Sequence, residues 1–246
     1  MSLSIIHEEI INIERDYYQA KRKIQEKLHE WPELFSFDDD HQQVRYETEG
    51  PLVPDDNSKA PVLILLSNPH PHSVKQGMFL SPNRSGRENP FWETLRGTGF
   101  FQQSGRITAE TMIKNMYRSL FRFFMAVLLP FPSEDPSHLK DILGSSSYKK
   151  MLINGRLAVS SLVKNNNIKH IICFGRLQYD SLSLKGSPDS YTSLLSRGET
   201  IRDSIATAAG ANIYLTYPTG WRFVNNHKIL KFESLKNILS EISRNG

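Results

Sequence analysis

Apolar positions along the chain fall into two patterns, spaced stripes and short solid runs. Ile6, Ile10, Ile13, Tyr17, Ala20, Ile24, Leu28 and Trp31 recur at steps of three and four before Pro32, which predicts a long amphipathic helix over residues 5–31. Its unbroken stripe predicts packing on the core, with self-association as the alternative. The segment "FDDDHQQVRYETEGPLVPDDNSKA", 37–60, is acidic, proline-bearing and weakly periodic, and is read as a solvated connector. "PVLILLSNP" is a solid apolar run between prolines, as expected of a strand buried on both faces, and a long polar loop follows it. From Thr108 to about Met125, Met112, Ile113, Met116, Tyr117, Leu120, Phe121 and Phe124 predict a second helix. Lys114, Arg118 and Arg122, four apart, would lie on its other face, either solvated or against a phosphate backbone.

"AVLLPFP" reads as a short strand ending in a proline loop, and 148–164 as a helix. "IKHIICFG", 168–175, is another buried strand, and "RLQYDSL" starts a short helix after its glycine turn. "ANIYLTYPTGW" is the last strand, and a helix from about Asn226 to Ser243 carries Phe232, Leu235, Ile238, Leu239 and Ile242 inward. Strands alternating with helices predict an α/β fold: a three-layer α/β/α arrangement on a mostly parallel four-stranded central sheet.

A chain of 246 residues, 39% hydrophobic and 23% charged, is enough for one sizeable core. The expected organisation is a single domain, 1–246, with 1–36 as an N-terminal helical extension and 60–243 as the α/β core. No apolar run approaches the roughly 20 residues of a membrane span and the start lacks a secretory pattern, so a cytoplasmic location without a membrane partner is expected. The single cysteine, Cys173, sits in an apolar run and excludes disulfides, a multi-thiolate zinc site and a four-thiolate iron-sulfur cluster within one chain. His70 and His72 flank a proline at a spacing that could suit a metal, but no third ligand is identifiable, and no metal and no cofactor are expected. A net charge of +4 permits a polyanionic partner without requiring one.

In open α/β sheets ligands collect at the carboxyl ends of strands. Three strand ends here carry distinctive loops: Ser67-Asn68-Pro69-His70, Gly175-Arg176 and Tyr217-Pro218-Thr219-Gly220-Trp221. "LILLSNPHP" with "QGMF" and "SGRENPFWETL" resembles the first motif region of the uracil-DNA glycosylase superfamily. "IKHIICFG" is similar to that superfamily's apolar strand ending in glycine, and "YPTGW" resembles its second motif. The resemblance covers roughly residues 60–240, in order and separation, and is closest to the superfamily's Asn-Pro branch as a divergent member.

The resemblance implies a base-excision enzyme that hydrolyses the N-glycosidic bond of uracil or a related damaged base in single- or double-stranded DNA after flipping it from the stack. It places Asn68 as the catalytic, water-positioning residue. An amide cannot act as a general base at neutral pH, so its part is to orient water through its carbonyl. Ser67, Pro69, His70, Gly77, Met78 and Phe79 would form the base pocket, with Phe79 stacking on the base and His70 screening it. Tyr217, Pro218, Thr219, Gly220, Trp221 and Arg222 would meet the DNA, Trp221 as the wedge and Arg222 on a phosphate. Two departures stand out: Tyr217 replaces the histidine of the best-known branch, and no base-reading asparagine is found in "FFMAVLLPF". They keep open a catalytically impaired nucleic-acid-binding protein on the same fold, or an α/β enzyme acting on a small nucleotide or metabolite.

Overall fold

The structure, a computed structural model, describes residues 5–13, 16–54, 59–103, 111–112, 114, 116–203, 211–219 and 225–245, with side chains of the last segment from 232 to 244. Ten strands and seven helices longer than a single 3-10 turn lie within them: β1 Ile6–Asn12, α1 Tyr17–Lys27, β2 Phe35–Asp38, β3 Gln43–Glu49, β4 Ala60–Leu66, α2 Pro71–Gln76, α3 Pro90–Gly97, β5 Gln102–Gln103, β6 Tyr117–Arg118, β7 Phe121–Val127, α4 Leu139–Asn165, β8 His170–Phe174, α5 Arg176–Leu182, α6 Tyr191–Ser196, β9 Ile201–Asp203, β10 Asn212–Thr216 and α7 Asn225–Asn245.

The fold is α/β. Its central sheet has five strands in the order β7-β4-β8-β10-β9, one more than expected. β7, β4, β8 and β10 run parallel, and β9 closes one edge antiparallel to β10. Alternate residues of each strand point to opposite faces. Leu63, Leu65, Phe124, Ile171, Cys173 and Leu215 bury into one core with α1, α4 and α5, and Val62, Ile64, Met125, Ile172 and Tyr214 into another with α3 and α7. Cys173 is a wholly buried member of the first core, and burial pushes its thiol pKa up. Among the described residues, no helix is long and apolar enough to cross a membrane.

Three elements differ from expectation. Residues 5–31 are not one helix: Ile6–Asn12 is a strand, and a helix starts only at Tyr17, after Asp16 in the left-handed region (φ 57°). The step of four from Ile6 to Ile10 fits either period, and pairing with β3 decides for the strand. Residues 37–60 are not a bare connector, because β3 lies there between β1 and β2 in a small antiparallel sheet. Its Val44, Tyr46 and Thr48 are buried in alternation, the period of a half-exposed strand. The predicted helix 108–125 is replaced over its described end by β6 and β7, whose solid run FRFFMAV is buried on both faces. The basic stripe goes with it: Arg122 is buried, its guanidinium 4.8 Å from the Phe124 ring centre, whereas Lys114 and Arg118 are exposed.

Helix α4 sits so close to the end of β7 that a Cβ on Gly155 would come within 1.8 Å of the Leu128 carbonyl oxygen. That atom is backbone and cannot swing aside. Gly155→Ala is therefore expected to lower stability by about 1–3 kcal/mol or more through overpacking, read as a lower urea midpoint at unchanged slope.

Candidate functional site

The parallel strands deliver their loops to one edge. Order β7-β4-β8-β10 reverses direction between β4 and β8, the switch point at which such sheets open a crevice. The loops after β4, β8 and β10 thus share an edge, the first and last two strands apart, about 10 Å at ordinary strand spacing. Gly175 (φ 135°) ends β8, and a Cβ there would lie 3.6 Å from Pro218 Cγ, so the β10 loop folds over the β8 loop.

The β4 loop is zipped to the β7 exit loop. Leu128 N–H donates to Leu66 O (2.9 Å), Leu129 N–H to Ser67 O (2.8 Å) and Ser133 N–H to Pro69 O (3.1 Å). Within this frame Asn68 Nδ2 donates to Ser133 O (2.8 Å), Ser133 Oγ (3.0 Å) and Pro69 O (3.1 Å). Its Oδ1 accepts from Ser67 Oγ at 3.2 Å. A carbonyl oxygen has two lone pairs, so the half-buried Asn68 is locked with its nitrogen toward protein and acceptor capacity left on its oxygen.

His70 opens α2. Its Nδ1 accepts from His72 N–H at 3.2 Å, so the neutral ring carries its proton on Nε2 and offers a donor. Its pKa is held below the ordinary imidazole value, mainly by the surrounding protein disfavouring charge, with His72 adding to the effect and Glu134 opposing it. α2 stops at Gly77 (φ 68°), and the chain then turns at Leu80, a non-glycine residue at φ 47°. Three bonds hold this loop: Trp92 Nε1 to Leu80 O (2.9 Å), Ser81 N–H to Ser73 Oγ (3.2 Å) and His72 Nε2 with Pro82 O (2.8 Å). Trp31 packs outside it, edge-on to His72 and beneath Lys75 and Arg84. Trp92→Phe orphans the Leu80 carbonyl and leaves a gap where the second ring of the indole packed. It is expected to cost about 1–3 kcal/mol and to speed protease cleavage within 77–83, with denaturation and limited proteolysis as the checks.

The sequence-derived set is only partly brought together. Ser67, Asn68, Met78, Gly77, Pro218 and Thr219 are half-buried at this edge, Pro69 is buried beneath it and His70 is exposed. Phe79 offers no stacking face: it is 2% exposed and lies in the core with Phe91, Trp92 and Phe174. Tyr217 is likewise 2% exposed and belongs to the opposite core, so it contacts no nucleic acid in this arrangement. Gly220, Trp221 and Arg222 lie outside the described residues. A cleft of about 10 Å³ between Phe91, Thr94, Phe174, Thr216 and the Tyr217–Thr219 loop has room for one water, not a base. Arg84, Arg96 and Arg176 near the edge are each paired with a carboxylate: Glu30, Glu88 and Asp180. No group of three potential metal ligands gathers among the described residues.

Sequence reasoning missed Ser133 and Glu134, whose only signal was a proline-rich loop after an apolar run. The chain matches no model of a known protein family and no curated protein.

Proposed function

We propose that this edge is a hydrolytic site for an N-glycosidic bond, acting on uracil or a related damaged base in DNA. The observation that carries the reading is the Asn68 amide, fixed through Nδ2 by Ser133 and Pro69 so that Oδ1 can hold a water at the switch point. In the reaction the bond from the sugar C1′ to the base breaks with its electron pair leaving on the base. The water oxygen bonds to C1′, and its proton passes to the base or to bulk water. Asn68 orients that water without taking the proton. The Nε2–H of His70 is a neutral donor suited to the anionic charge of a departing base. Seating a base requires the 77–83 loop to release Phe79 or the β10 loop to lift.

The same fold as a nucleic-acid binder without catalysis is the second reading, favoured by the burial of Phe79, which leaves a flipped base no ring to stack on. Incubation with single- and double-stranded oligonucleotides carrying uracil or other lesions, then alkaline cleavage of abasic sites, separates the two. Lesion-dependent scission is the expected result. Binding without scission selects the second reading, and a salt slope near zero removes both.

A further inference from the structure

A cavity of about 360 Å³ lies away from that edge, between α4, the outer side of β7 and the β1–β3 sheet. Its walls are mainly hydrocarbon: Pro51, Val127, Leu128, Ala158, Val159 and Leu162. Its polar end is built by His7, Glu9, Glu49 and Asn154, two carboxyls and an imidazole, with no lysine or arginine in the lining. Glu9 is occupied, accepting from Tyr46 Oη at 2.9 Å and facing His7 Nε2 at 3.1 Å. Glu49 differs. It is 4% exposed, and its Oε1 is buried without a hydrogen-bond partner among the described residues. Such a buried acceptor is costly unless something meets it.

We propose that this cavity binds a small organic cation, its ammonium group donating to the Glu49 carboxylate and its hydrocarbon body lying against Val127, Leu128, Val159 and Leu162. Glu49 lines the cavity, and a turn of its side chain that brings Oε1 to the cavity surface lets an ammonium supply the donors that atom lacks and neutralise the charge, while the apolar walls favour an alkyl body over a hydrated metal ion. Burial alone raises the carboxyl pKa to about 8. Below that value the site holds a proton, which must leave as the cation arrives: carboxylic acid plus ammonium gives an ion pair and one released proton. Affinity therefore rises with pH by up to about tenfold per unit and levels above about 8. His7 and Glu9 of β1 are the other titratable groups in the lining, and α4 and β7 contribute none.

Titration calorimetry of the full chain with n-hexylammonium, n-hexanol and hexanoate tests this. Hexylammonium is expected to bind at least about tenfold tighter than the alcohol, with hexanoate weakest. Near neutral pH it should release close to one proton per molecule bound, measured by changing the buffer's ionisation heat. Glu49→Gln is expected to remove both the preference and the proton release. Ala158→Trp, at an exposed wall position, should weaken binding at least about tenfold without lowering Tm, and it decides the matter if Glu49→Gln does not fold. Equal binding of alcohol and amine, no binding of the amine, or unchanged binding in both variants would overturn the proposal.

Discussion

Asn68→Ala is expected to slow base release by about 100-fold or more, the scale on which loss of a positioned reactant costs rate, while oligonucleotide affinity changes little. Alanine removes both halves of the amide: the oxygen that holds water, and the nitrogen that ties the β4 loop to Ser133 and Pro69. The second loss is small in stability terms, about 1 kcal/mol, because the β4 and β7 loops stay joined by three backbone bonds. A drop in rate with near-normal Tm and binding is thus the expected signature, read by single-turnover kinetics beside thermal unfolding. If the rate fell only in step with Tm, Asn68 would be a structural tie and no more.

Glu49→Gln is expected to stabilise the protein increasingly from about pH 5 to about pH 8.5. In the unfolded chain a glutamate loses its proton near about 4.3, whereas burial raises Glu49 to about 8 in the folded state. Between those values the folded protein holds a proton that the unfolded chain has released. Stability contributed by the protonated carboxyl is therefore full below the lower value and is lost as pH rises through the upper one. At about 1.4 kcal/mol per pKa unit the loss reaches several kcal/mol. Glutamine does not titrate, so urea unfolding should show the two proteins close at acid pH and diverging with alkalinity. Parallel curves would mean that Glu49 is not buried as an unpaired acid.

The central strands, the constraint on Gly155 and the tie between Asn68 and Ser133 were differently legible. β4, β8 and β10 announce themselves as solid apolar runs because strands covered on both faces need no polar side. β7 has the same run, yet Tyr117, Leu120, Phe121 and Phe124 leading into it also fall at steps of three and four, so periodicity alone pointed to a helix. β3 was hidden because Val44, Tyr46 and Thr48 alternate with the exposed charges of Arg45 and Glu47, and its remaining buried residue, Glu49, is itself charged. At the site, Asn68 and its place at a strand end could be read, since an Asn-Pro step after a buried strand marks a turn. The partner that fixes its amide could not: Ser133 is 65 residues away, and nothing local distinguishes it from any loop serine. Gly155 gave no signal for a similar reason, its constraint being the Leu128 carbonyl on another element. The burial of Phe79 and Tyr217 depends on how α3 and the β10 loop fold back, which loop position in the sequence does not encode.

Asn68→Asp separates a site built on an amide from one that any side-chain oxygen would serve. A carboxylate has no N–H to give, and the Ser133 and Pro69 carbonyl oxygens that now accept from Asn68 would face a second acceptor. If the site is built around an amide whose nitrogen points to protein and whose oxygen points to water, the aspartate is misplaced or protonated. Single-turnover base release by Asn68→Asp at neutral pH should then be no faster than by Asn68→Ala, and both far below the unmodified chain. An aspartate variant that equals or exceeds the unmodified rate would contradict the account.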